Sequence, residues 1–127
     1  ELLHLASLVH DDIIDGTELR RGKKTAHKEW GTQVAVLVGD YVLSQSMRCV
    51  IDETARNVPV IISDAADKLI VGEIMELDHC GEMTLSRAMY NEIIDRKTAA
   101  LIEVASRLGG IMAGFDEDPA KIGTFTN

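Results

Sequence analysis

The chain has 127 residues, and its 13 lysines and arginines against 21 aspartates and glutamates leave a formal charge of −8. That balance argues against a nucleic-acid partner, whose phosphates call for a basic surface. Hydrophobic residues at 46% and charged residues at 27% fit one soluble globular unit or part of one, and no apolar run approaches the roughly 18 residues of a membrane span. Cys49 and Cys80 have no paired spacing, so two free thiols in a reducing compartment are expected rather than a disulfide framework or a zinc ribbon.

Leu2, Leu3, Leu5, Leu8 and Val9 run in helical phase from the start, so the chain is expected to begin inside an element, as an internal fragment of a larger domain. Prolines stand only at 59 and 119 and aromatics make up 4%, while Ala, Leu, Ile, Met and Glu are plentiful, which predicts an all-α fold. The first helix covers residues 1–15 and ends at Gly16. A polar loop from Gly16 to about Thr32 carries Arg20, Arg21, Gly22, Lys23 and Lys24.

A second helix is expected over roughly residues 33–56, broken by Asn57, Val58 and Pro59, and a third from about Val60 to Leu77, closed by Gly81. Thr84 is the expected cap of a long fourth helix reaching about Ala113. Asp116, Glu117 and Asp118 read as a turn and cap, with Pro119 opening a truncated fifth helix. Long helices with short connections imply antiparallel neighbours in a bundle.

Asp11, Asp12 and Asp15 crowd the end of the first helix, with Asp11 and Asp15 one turn apart on one face. Like charges at that spacing cost a helix roughly 0.2–0.5 kcal/mol, and carboxylates in a last turn oppose its dipole by a further ~0.3–1 kcal/mol. Two readings stand: a solvated acidic helix end, or a cation site that reverses the sign of the penalty. Arg20 and Arg21 follow closely, and guanidinium forks beside carboxylates suit a phosphate ester carried with its metal. Magnesium takes one or two protein carboxylates and completes its octahedron with water and phosphate oxygens, so this set suits it better than calcium, and the EF-hand pattern is not met.

The run ELLHLASLVHDDIIDGTELRRGKKTAH, from Glu1 to His27, resembles the first aspartate-rich region of the trans-polyprenyl diphosphate synthases, the head-to-tail prenyltransferases. Gly39-Asp40, the stretch Gly72-Glu73-Ile74-Met75-Glu76-Leu77, and Lys97-Thr98 within RKTAALIEVASRLGG are similar to further motifs of that family. The resemblance implies an antiparallel helix bundle of the isoprenoid synthase type, incomplete here. Residues 1–127 would be a partial synthase domain, from the first aspartate-rich region to just before the second, with Lys121, Ile122 and Gly123 opening the helix that carries the second.

The implied activity is a magnesium-dependent condensation of isopentenyl diphosphate with an allylic diphosphate. The implied metal set is Asp11, Asp12 and Asp15, with Asp11 and Asp15 holding Mg2+ and Asp12 in a supporting position. Arg20 would bind the allylic diphosphate and Arg21 the isopentenyl diphosphate. His4 would contact isopentenyl diphosphate, and an ideal helix does aim it between the Asp11 and Asp15 directions. Lys97 would contact the allylic diphosphate from a facing helix, with Thr98 beside the reacting carbons. Small residues at Ala6 and Ser7 imply a longer-chain product, although the helical wheel brings only Ser7 near the Asp11 face.

Other polar positions have plainer readings. Without the resemblance Lys97 is a surface lysine, and Lys23 and Lys24 belong to a solvated loop. His10 is structural, Glu73 and Glu76 are polar wall residues, and Asp78-His79-Cys80 has no ligand geometry. The methionines at 47, 75, 83, 89 and 112 fill the core. The expected partners are the two diphosphates and a second subunit, in a homodimer or heteromer, with no nucleic acid and no transmembrane segment, in the cytoplasm or an organelle matrix. Two rival readings are a non-catalytic subunit of a heteromeric synthase, which tends to lose the motifs kept here, and a related terpene synthase, which explains Arg20-Arg21-Gly22 poorly.

Overall fold

The computed structural model describes residues 1–51, 57–81 and 84–114. They fall in two compact units, one from Glu1 to Asp52 and the other from Glu53 to Asn127. Residues Asp116–Pro119, Lys121–Gly123 and Met83, and with them the expected fifth helix, lie outside the described residues.

In the first unit, α1 (Leu2–Ile14) is followed by a two-stranded hairpin, β1 (Leu19–Arg20) and β2 (Lys23–Lys24), then by the short α2 (Ala26–Trp30) and by α3 (Thr32–Val50). The predicted end of the first helix holds: Asp15 is its C-cap and Gly16 takes φ 63°. The expected loop from Gly16 to Thr32 is instead a hairpin and a helix. Its turn is Arg21-Gly22, since Leu19 pairs with Lys24 and Arg20 with Lys23, and φ is 51° at Arg21 and 77° at Gly22. Positive φ at both central residues is what a tight two-residue hairpin turn requires.

Thr25 ties this segment down. Its buried hydroxyl donates to the Thr17 carbonyl at 2.7 Å, and its backbone N–H donates to the Glu18 carbonyl at 3.0 Å. Lys28 closes the outside with a 2.6 Å contact to Glu18, whose carboxyl is lowered from its ordinary range by that hydrogen bond and charge. Helix α1 packs on α3, with Leu3, Ala6, Ala35 and Gly39 buried. The His10 ring sits close on Gly39 of α3, where a Cβ would lie 2.3 Å from His10 Nε2.

In the second unit, α4 (Val58–Asp78) starts with Asn57 at φ 54° and Pro59 in its first turn, as the Asn-Val-Pro break predicts. It packs against α5 (Arg87–Ile94) and α6 (Ala100–Met112), which are joined by a π turn over Asp95–Ala99. Val58, Ile61, Ala65, Ile93, Ala100 and Ile111 are buried here. The expected single fourth helix is thus interrupted, and its cap is Ser86 rather than Thr84: the Ser86 Oγ accepts the Met89 N–H at 3.2 Å. A π turn holds more residues per turn than an α-helix, and the side-chain periodicity of RKTAALIEVASRLGG does not mark it.

Among the described residues no helix is long and apolar enough to cross a membrane.

Candidate functional site

The acidic end of α1 and the hairpin form one cluster. Asp12 is buried, and its carboxylate accepts two hydrogen bonds from Arg20 Nε, at 3.0 and 3.1 Å, and one from Nη2 at 2.7 Å. The guanidinium is therefore held as a fork on a buried carboxylate. Its pKa is raised above the ordinary arginine value, first by the Asp12 hydrogen bond and then by the charges of Asp12, Asp11 and Asp15, against the opposing effect of burial. All three acids of the motif thus act on Arg20.

The helix end explains the arrangement. Asp12 lies in the last turn of α1, and its own carbonyl accepts the Thr17 N–H at 2.9 Å, which folds the chain back so that β1 brings Arg20 alongside. The resemblance implies a supporting position for Asp12, and in the structure its carboxylate is the hydrogen-bond partner of Arg20. Asp11 is half-buried and Asp15 exposed, one turn apart on a continuous helix. Arg21 is exposed at the hairpin turn.

His4 is exposed, on the same stretch of α1 and in phase with Asp11 and Asp15. Ser7 is half-buried, and its hydroxyl donates to the His4 carbonyl at 2.9 Å. Ala6 is 1% exposed, on a different side of the helix from Ser7, as the wheel anticipates. His10 has the structural setting expected of it: its ring lies over Gly39, with Nε2 3.3 Å from Asp40 Oδ1 and 3.4 Å from the Val36 carbonyl. Lys23 and Lys24 are exposed on β2.

The second unit carries a separate cluster. Lys97 and Thr98 sit in the π turn, Lys97 half-buried and Thr98 exposed. Lys97 Nζ donates to Glu76 and lies 2.8 Å from Glu73 Oε2. Burial pulls this ammonium down, but the hydrogen bonds it donates to Glu73 and Glu76 and their charges outweigh it, so the lysine is held above its usual range. Glu73 and Glu76 are therefore the partners of a cation rather than plain wall residues. The signal for this lay in the sequence: two acids three apart, directly after a glycine, are placed on one helical face.

Elsewhere, His79 Nδ1 contacts the Met75 carbonyl at 2.8 Å at the end of α4, and Cys49 and Cys80 are free and exposed. Among the described residues no group of three or more His, Cys, Asp or Glu side chains converges to hold a metal alone. Asp11 and Asp15 nevertheless fit magnesium, which needs only one or two protein carboxylates when phosphate oxygens and water complete its shell.

Helices bearing this acidic end, this Arg-Arg-Gly hairpin and this Lys-Thr turn define the class. The polyprenyl synthetase family profile matches residues 1–127, and the chain belongs to that family. It is 37% identical over 121 residues to the octaprenyl diphosphate synthase of Haemophilus influenzae, covering 95% of this chain and 37% of that protein. It is 39% identical over 117 residues to heptaprenyl diphosphate synthase component 2 of Bacillus subtilis, covering 92% of this chain and 34% of that one. The crystal structure of a polyprenyl synthase from Caulobacter crescentus, complexed with calcium and isoprenyl diphosphate, superposes with TM-score 0.88 at 37% identity, covering 94% of this chain and 37% of the other. The chain thus spans about a third of the length of these relatives.

Proposed function

We propose that the protein to which this chain belongs joins isopentenyl diphosphate to an allylic diphosphate. The observation that carries the reading is the acidic end of α1 with Arg20 docked on Asp12 by three hydrogen bonds. The allylic C–O bond ionises, its electron pair leaving with diphosphate. The isopentenyl double bond then attacks the allylic carbon, and a proton is lost from the adduct to the departed diphosphate, since no dedicated base stands out among the described residues.

Negative charge grows on the leaving group, so cations fixed in advance stabilise the transition state more than the ground state. Arg20 supplies such a cation to the allylic diphosphate, already oriented by Asp12, and Lys97 supplies another. Asp11 and Asp15 would hold Mg2+, which when bound neutralises part of the diphosphate charge. His4 and Arg21 bind isopentenyl diphosphate, and Thr98 lies beside the reacting carbons. The calcium and isoprenyl diphosphate in the Caulobacter crescentus structure support the pairing of a divalent ion with a diphosphate.

Small side chains at Ala6 and Ser7 favour a longer polyprenyl product, in keeping with the octaprenyl and heptaprenyl names of the relatives. The enzyme works as a homodimer or with a different second chain, the latter supported by the name of the Bacillus subtilis relative as a component 2. The reaction is assigned to the cytoplasm or an organelle matrix. Residues 1–127 alone carry one acidic motif, and taken by themselves they are expected not to turn over. The test is turnover of labelled isopentenyl diphosphate with an allylic primer by the full-length protein, with magnesium and then with EDTA. Asp11→Asn and Asp15→Asn should each lower kcat by at least ~10²-fold; turnover that survives EDTA, or both substitutions, would remove the metal from the reading.

A further inference from the structure

We infer that Glu73 is a positioning residue that fixes Lys97, and that Glu76 is a placeholder that gives way to the diphosphate. The inference rests on the reading of Lys97 as a diphosphate contact.

Gly72 sets the π turn directly on α4. A Cβ at Gly72 would lie 2.9 Å from Arg96 Cβ and 3.1 Å from the Lys97 nitrogen, so any other residue would push the turn away. A wide turn needs this relief, and the next residue along α4 is Glu73. Its side chain is 12% exposed and meets Lys97 Nζ at 2.8 Å, whereas Glu76, the second acceptor on the same ammonium, is 50% exposed.

The two carboxylates differ in what leaving Lys97 would cost. Glu76 can swing into water and recover its hydration. Glu73 would be stranded without a partner in a dry setting, and that penalty keeps it in place. An ammonium has three donors, two of them directed at these acids. An arriving diphosphate takes the third and displaces the exposed carboxylate, while the buried one keeps the lysine stem aimed.

The two acids then have opposite effects on binding, which separates this arrangement from simple charge. Were both merely negative neighbours, removing either charge would tighten an anion. Positioning predicts that Glu73→Gln loosens it and Glu76→Gln tightens it. In the full-length enzyme, the KM for the allylic diphosphate and the inhibition constant for inorganic diphosphate should rise about 10-fold in Glu73→Gln and fall about 3-fold in Glu76→Gln. Lys97→Met should raise both by at least ~10-fold, and adding Glu73→Gln to it should change neither further, since both act through one group.

If Lys97→Met leaves both constants unchanged, the reading of Lys97 as a diphosphate contact fails. If Lys97→Met acts but Glu73→Gln tightens binding, or acts equally strongly without Lys97, the positioning of Lys97 by Glu73 alone is overturned. Glu73→Asp, which keeps the charge on a shorter stem, carries the same comparison should the glutamine variant not fold.

Discussion

Arg20 clasps Asp12 across eight positions of sequence, with Nε between the two carboxylate oxygens at 3.0 and 3.1 Å and Nη2 on one of them at 2.7 Å. The acid is almost wholly buried and the Arg20 side chain as a whole is 41% exposed, so one partner of the pair is fixed in the protein while the other reaches solvent. A cation that is both anchored and accessible is what recognition of an oxyanion requires.

Removing the anchor should therefore act on stability and on binding together. Asp12→Asn keeps the shape but loses the charge-assisted bonds, and a destabilisation of about 1–2 kcal/mol is expected, less than for a fully buried pair because Arg20 reaches solvent. Arg20→Lys should cost about as much, because a point charge cannot reproduce the fork. Urea denaturation of the full-length protein measures both. A double variant no worse than either single one would show that they report on one interaction.

The contact of His10 with Gly39 gives a prediction whose sign reverses with background. A Cβ at Gly39 would come within 2.3 Å of the ring, so Gly39→Ala should cost about 1–3 kcal/mol through overpacking. In a His10→Ala protein that clash is gone, and alanine is the better helix former by ~1 kcal/mol, so the same change should stabilise. Unfolding midpoints of the four proteins decide it; equal effects in both backgrounds would show that His10 is not what makes Gly39 necessary.

Several of these features were legible in the residues alone. Gly16 and Pro59 mark breaks through backbone chemistry, and the acidic cluster announced itself because a helix tolerates negative charge badly in its last turn. The hairpin was hidden because its strands have two residues each and because arginine is an unexpected occupant of a positive-φ position. The π turn was hidden because a bulge leaves no mark in side-chain periodicity. The docking of Lys97 on Glu73 and Glu76 is a contact across 24 and 21 positions of sequence, so the local stretch places two acids on one helical face but does not say which cation they meet.

The hairpin turn can be separated from the charge it carries. Gly22 takes φ 77°, so Gly22→Ala should strain the turn by about 1–2 kcal/mol and loosen the strand that presents Arg20. Arg21→Gly should relax the backbone at φ 51° while deleting the exposed side chain with its guanidinium. In the full-length enzyme, Gly22→Ala is expected to raise the KM for the allylic diphosphate, and Arg21→Gly that for isopentenyl diphosphate. Should both variants alter the same KM, the two arginines do not divide the substrates.

The pH dependence of the Lys97 cluster follows from the direction of its shift. Its folded pKa is raised above the unfolded value of ~10.4, so the linked stability is complete below that pH and lost only as pH climbs through the folded value. The difference in unfolding free energy between the unaltered protein and Lys97→Met should therefore stay flat from pH 6 to pH 9 and shrink only above ~10.4. Activity profiles over the lower range should likewise contain no limb that Lys97→Met removes. Denaturant titrations at several pH values provide the check, and a difference that already collapses between pH 7 and 9 would mean that the carboxylates do not hold the ammonium charged.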